Sequence, residues 1–228
     1  MSEPDRPPPP LVVTLAALTV VSGFVDAVSF LGLGHVFTAN MTGNVVLIGF
    51  AAAGAPGFSM AASGCALGGF VVGAVAGGRL ARRIRPPRDL LLVAMAIEAT
   101  CTAAAAVVAG TVSAIGEGWP RYTVIALLAA AMGLRNTAVR RMGVPDMSTT
   151  VLTTTLTGLA SGSRLAGGTN PRSRLGTTSI LSMFGGALVG AVLVLHAGAT
   201  WSLGIASGIV TLTAVFFYRA VPLGLTAP

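Results

Sequence analysis

Six apolar runs decide what this chain can be. Leu11–Leu33, Phe58–Ala81, Leu90–Val112, Tyr122–Met142, Thr177–Ala197 and Trp201–Tyr218 are each long enough to cross a bilayer as helix. The hydrocarbon core is roughly 30 Å thick and takes about 20 helical residues. Only 9% of the 228 residues are charged and 54% are hydrophobic, whereas a soluble domain carries about 25% charge. Backbone in lipid must satisfy its own hydrogen bonds, so such spans are helices. The expected fold is an all-α integral membrane protein.

Two shorter segments begin polar inside this apolar sequence. Val36–Val45 holds Thr38, Asn40, Thr42, Gly43 and Asn44, and leads into an apolar stretch, Thr38–Ala53. About 110 residues later comes Pro145–Thr157, with Asp146, Thr149, Thr153, Thr154 and Thr157, leading into Ser148–Ala160. Irregular polar backbone at membrane depth survives only against protein or a water-lined cavity. Whether these two segments cross is decided by arginine. All 14 basic side chains are Arg. With six crossings and a cytoplasmic N-terminus, 13 of them lie inside and only Arg121 outside. With eight crossings the better split is 8 to 6. The positive-inside rule favours six. The two polar segments are then re-entrant, and both termini face the cytoplasm of a bacterial inner membrane.

Internal similarity adds a second constraint. Leu67–Val75 (LGGFVVGAV) matches Phe184–Val192 (FGGALVGAV) at an offset of 117, and Gly23–Val28 faces Gly133–Ala138 at an offset of 110. The first repeat spans about residues 11–115 and the second about 119–219. Three crossings per half make the repeats inverted. Residues 1–10, Pro-rich and polar, read as a disordered N-terminus, and 220–228 as a tail. Glycines four apart, at Gly64 and Gly68, at Gly69, Gly73 and Gly77, and at Gly186 and Gly190, mark close helix packing. They suit a homodimer face or an intramolecular seam equally.

Two acids fall inside apolar runs. Glu98 lies near mid-membrane, roughly 14 Å from its cytoplasmic helix end, and Arg135 roughly 9 Å from its own. Asp26 lies toward the outer side, so Glu98 is the better partner for Arg135. An unpaired buried carboxylate favours the protonated form, as proton coupling requires. The plainer readings are a structural ion pair, and Asp26 bonded to the adjacent re-entrant loop. Asn40, Thr42, Gly43, Asn44, Thr149, Thr153 and Thr154 are candidates for a solute path. Thr hydroxyls also bond back to their own helix, and Asn bridges helices. A short helix starting at mid-membrane presents its positive end to an anionic solute, and Asp146 is placed to cap the second one.

Enzyme chemistry has little footing. His35 and His196 are the only histidines, and no His, Cys or acid cluster has metal spacing. A Ser29–His35 pair alone does not make a hydrolase. Cys65 and Cys101 read as small apolar residues. No catalytic residue, metal or cofactor is expected. The basic loop Arg79–Arg88 suits anionic lipid headgroups, not nucleic acid.

Gly23–Gly49 (GFVDAVSFLGLGHVFTANMTGNVVLIG) and Arg135–Gly158 (RNTAVRRMGVPDMSTTVLTTTLTG) resemble the YoaK-like family of bacterial membrane proteins across about residues 11–219. The resemblance implies a bacterial multi-pass membrane protein and brings no substrate or catalytic residue with it. The polar segments and intramembrane charges lead to the expectation of a transporter or channel for a small polar or anionic solute. The alternative is a non-transporting scaffold or accessory subunit.

Overall fold

The computed structural model describes residues 7–111, 118–144, 152–168 and 173–221. Asp146, Thr149, most of the 1–10 segment, and the tail beyond 221 lie outside the described residues. Within them the chain is all helical: α1 Pro9–Gly32, α2 Met41–Ala52, α3 Met60–Arg83, α4 Pro87–Thr111, α5 Trp119–Arg141, α6 Leu152–Ser161, a 3-10 turn Arg164–Ala166, and α7 Ser173–Ala220. Five helices, α1, α3, α4, α5 and α7, are long and apolar enough to cross a membrane.

Local chemistry sets the helix starts. α1 opens on Pro9 and Pro10, whose missing N–H groups have no helical partner in the first turn anyway. Asn40 caps α2 by accepting the Gly43 N–H at 3.3 Å, and Ser59 caps α3 by accepting that of Ala62 at 3.2 Å. Such caps are worth about 1 kcal/mol each. The expected pair of helices over Thr177–Ala197 and Trp201–Tyr218 is found as one element, α7, broken at Gly198 (φ 79, ψ 172). That backbone region is open essentially to glycine alone.

The chain doubles back at Gly198, as its neighbours show. On the first arm of α7, residues 173–197, Gly186 and Gly190 lie on the Val20 and Phe24 carbonyls of α1, and Val194 reaches Gly32. The two run parallel. On the second arm, residues 199–220, Thr200 touches Gly110 of α4. Further along, Ser207 donates to the Ala99 carbonyl at 2.9 Å, and the Tyr218 carbonyl receives Arg88 at 3.0 Å. The second arm is antiparallel to α4. α5 starts beside the end of α1, where Arg121 donates to the Gly34 carbonyl at 3.2 Å. α3 runs parallel to α5, from Cys65 on Tyr122 to Gly77 on Leu134. The bundle thus has a near end, holding Pro9, Arg83, Pro87, Arg141, Ser173 and Ala220, and a far end holding Gly32, Met60, Thr111, Trp119 and Gly198.

One crossing occurs twice. A Cβ on Gly73 would strike the Ala130 carbonyl, and one on Gly186 the Val20 carbonyl; Gly77 faces Leu134 as Gly190 faces Phe24. In return Gly133 lies on Phe70 and Ala74, and Gly23 on Met183 and Ala187. α5 therefore repeats α1 at an offset of 110, as expected, but α7 repeats α3 at 113, not 117. The letter match was displaced by one helical turn. Small residues recur every four positions there, so a one-turn slip still aligns glycine with glycine.

These contacts make the Gly69, Gly73, Gly77, Gly186 and Gly190 set an intramolecular seam, whereas Gly64 and Gly68 face open space. Outward faces carry Val71, Val72 and Val75 on α3, and Leu181, Phe184 and Leu188 on α7, all well exposed. Such continuous apolar faces are the ones a bilayer covers. Inside, α1, α4 and α5 supply most of the buried core, including Leu15, Phe24, Leu91, Met95, Ile125 and Leu128.

Candidate functional site

Leu18, Ser22 and Asp26 recur every fourth residue on α1 and so share one face. Opposite them α4 presents Glu98, with Thr102 one turn on along the same face, and α5 presents Arg135. No backbone approach within 8 Å joins α1 to α4 among the described residues; the Arg135 side chain spans the space between them. One guanidinium nitrogen, Nη1, donates to Glu98 Oε1 at 2.8 Å and to the Leu18 carbonyl at 3.2 Å. The other, Nη2, donates to Ser22 Oγ, whose hydroxyl donates in turn to the Leu18 carbonyl at 3.1 Å. Arg135 and Glu98 are fully buried. A buried pair survives desolvation only with such geometry and added hydrogen bonds.

Asp26 lies six residues, about 9 Å, inward from Gly32. Its Oδ1 accepts the N–H groups of Thr38 at 2.9 Å and Ala39 at 2.7 Å. The loop reaches that depth and returns. Asn44 Oδ1 accepts the Phe37 N–H at 2.9 Å while its Nδ2 donates to the Phe37 carbonyl at 2.6 Å. Phe37 stacks on Phe30 with centroids 4.8 Å apart, and Gly43 leaves room for the Phe37 ring. His35, in the left-handed region at φ 57, places Nδ1 at 3.0 Å from the Gly57 carbonyl. Both ends of the 35–57 segment therefore sit together at the far end.

The expected residues divide clearly. Glu98 and Arg135 meet, and Asp26 holds the neighbouring loop. Asn40 and Asn44 are engaged by their own loop, and Thr42 is exposed. The N-terminal end of α2, expected to draw an anionic solute, faces the protein's own Asp26. α6 lies at the near end, with Thr155 and Leu159 against Gly176 of α7, and Thr153, Thr154 and Thr157 on its exposed side. No contact joins α2 to α6 among the described residues. Ser29 donates to the Asp26 carbonyl at 3.2 Å and does not engage His35, and no group of three His, Cys, Asp or Glu among the described residues is placed to hold a metal.

Sequence reasoning missed Ser22, Thr102 and Asn136. The four-residue spacings Ser22–Asp26 and Glu98–Thr102 were the available signal. Asn136 stands 110 residues after Asp26, at the repeat offset. Glu98 Oε2 and Arg135 Nε of the ion pair, and Asp26 Oδ2, Thr102 Oγ1 and Asn136 Oδ1 nearby along the helices, are buried with no hydrogen-bond partner among the described residues. All lie within about one helical turn of the Ser22–Arg135–Glu98 set along their helices. Native interiors leave few such atoms.

Apolar spans around a buried Arg–Glu pair define a multi-pass, all-helical membrane protein. The chain belongs to the YoaK-like family: the family described as "Protein of unknown function (DUF1275)" matches residues 14–216. It is similar to the UPF0700 transmembrane protein YoaK of Bacillus subtilis (strain 168), with 35% identity over 149 residues. That match covers 64% of this chain and 64% of the relative's length. No solved structure matches.

Proposed function

We propose that the protein is a transporter or channel passing a small polar or anionic solute across the bacterial inner membrane, without covalent chemistry. In this reading α1, α3, α4, α5 and the two arms of α7 make six crossings. α2 and α6 are re-entrant from opposite faces, and residues 11–115 and 119–219 are inverted repeats. The duplicated glycine crossing supports the repeat, because α1 and α5 run in opposite directions, as do α3 and the first arm of α7. Arginine supports the orientation. Arg79, Arg82, Arg83, Arg85, Arg88, Arg140, Arg141, Arg174 and Arg219 belong to near-end segments and Arg121 to the far end, which puts the near end in the cytoplasm.

One observation carries the functional reading. Five buried polar atoms, Glu98 Oε2 and Arg135 Nε of the ion pair and Asp26 Oδ2, Thr102 Oγ1 and Asn136 Oδ1 within about a turn of the Ser22–Arg135–Glu98 set along their helices, have no partner among the described residues. Each costs about 1–3 kcal/mol unless a solute or water serves it. Solute passage gives those atoms partners, and Arg135 supplies the attraction for a negative or strongly dipolar group. Asn40 and Asn44, bonded within their own loop, favour the scaffold alternative, which predicts no flux at all.

Stopped-flow swelling of proteoliposomes, with formate, acetate, nitrate, urea and glycerol offered in turn, tests this. At least one solute is expected to enter faster than into empty vesicles. Ser22→Ala and Thr102→Val should slow it by about tenfold, the worth of one hydrogen bond of about 1.4 kcal/mol. Permeability equal to that of empty vesicles for the whole panel would leave the scaffold reading in its place.

A further inference from the structure

We propose that Asp26 is a proton-binding site that latches the 36–40 loop, and that the residue 110 positions on, Asn136, cannot bind a proton in the same way. Three observations carry it. Oδ1 already accepts two backbone N–H groups, from Thr38 and Ala39, while Oδ2 of the same carboxyl is buried without a partner. Of the buried bases near it, Arg135 is in contact with Glu98 and Arg121 with the Gly34 carbonyl, and no ion pair reaches Asp26 among the described residues. Asp26 is thus uncompensated, and an isolated charge in an apolar interior neutralises by taking a proton. Lastly, the position 110 residues on is Asn136, an amide of the same shape that cannot titrate.

The step balances simply. A proton from water at the far end adds to Oδ2, and the carboxylate becomes a neutral acid. Oδ1 then accepts the Thr38 and Ala39 N–H groups as a carbonyl and not as an anion. Charge-assisted bonds are roughly twice as strong as neutral ones, so the proton weakens both at once and loosens the loop that starts α2. The charged form, favoured at high pH, holds the loop tightly; the neutral form, favoured at low pH, holds it more weakly.

The charged and titratable groups on the elements around Asp26 are few. α4 brings Glu98, and α5 brings Arg135 together with Arg121, which holds the Gly34 carbonyl. The loop brings His35, on the Gly57 carbonyl, and the first arm of α7 brings His196, on the Val192 carbonyl at 2.8 Å. α2 has no charged residue, and the arginines of α3, Arg88 and Asp89 of α4, Arg140 and Arg141 of α5, and Arg174 and Arg219 of α7 are at the near end. His35 is the one competing titration at the loop itself, so it is replaced in the test.

This site rests on the transport reading for its purpose only, because the latch is read without solute. Hydrogen exchange of residues 36–41 in the full chain, held in lipid nanodiscs and corrected for intrinsic rates, is followed from about pH 4 to about pH 9, a range that brackets carboxyl and imidazole titration. In a His35→Gln background, protection of Thr38 and Ala39 is expected to fall about tenfold through a single-proton transition as pH drops. Asp26→Asn should keep the fold, since its Oδ1 accepts the same two N–H groups, and should abolish the transition. Protection that is flat with pH in the His35→Gln protein would overturn the proposal whatever Asp26→Asn does. An unchanged transition in Asp26→Asn would overturn it too. Flux without a latch, or a latch without flux, tells the two readings apart.

Discussion

Arg135→Leu is expected to cost about 3–5 kcal/mol of stability, the usual result of stranding one member of a buried pair. The reason is local. Glu98 Oε1 loses its partner at 2.8 Å, Glu98 Oε2 has none to begin with, and Ser22 Oγ loses a charged donor. Glu98→Leu combined with Arg135→Leu should recover most of that loss, because well-packed apolar side chains replace buried ion pairs at little or no cost. Thermal unfolding in detergent reads both variants. The comparison separates two roles for the pair: a double variant that is stable yet passes no solute marks the charges as kept for passage. A double variant no more stable than Arg135→Leu would mean that the pair is needed to build the bundle.

Asp26→Ala should be the second severe change, at about 2–4 kcal/mol. It leaves the Thr38 and Ala39 N–H groups buried and unpaired, at about 1–3 kcal/mol each, less what the loop recovers by moving toward water. The Asn44 clamp on Phe37 and the Phe30–Phe37 stack remain, so the damage should stay within the 36–41 loop and the start of α2. Asp26→Asn should cost less than half as much. Thermal unfolding of the two variants side by side checks the order; equal losses would mean that charge, and not the hydrogen-bond geometry, holds the loop.

Much of this is legible in the sequence. Counting residues from helix ends matched Glu98 with Arg135, because helical rise is fixed and opposite charges in hydrocarbon must find each other. The same logic offered the loop as the partner of Asp26. The offset of 110 between α1 and α5 was readable because Gly23 and Gly133 sit in otherwise varied sequence. The offset between α3 and α7 was misread by a turn because the pattern there is periodic. Asn40 and Asn44 read as solute ligands and are found clamping their own loop. Composition shows that an amide is present, not whether a backbone group nearby has already engaged it. Ser22 and Thr102 stayed hidden for a related reason. Most hydroxyls in apolar helices bond to their own carbonyls, as Thr14, Thr19 and Ser22 do here, so it takes three dimensions to see that Ser22 also receives Arg135 and that Thr102 has no partner among the described residues.

The central claim is that the space between α1 and α4 is a polar path and not dry packing. Thr102→Cys, in a chain with Cys65→Ala and Cys101→Ala, tests it most directly. Thr102 is fully buried, and its side chain lies one turn beyond Glu98. A small charged methanethiosulfonate added to vesicles should label this cysteine at a rate well above that of a lipid-facing control at Val72. Labelling no faster than that control, while the denatured protein reacts fully, would mean a closed core and would contradict solute passage through it.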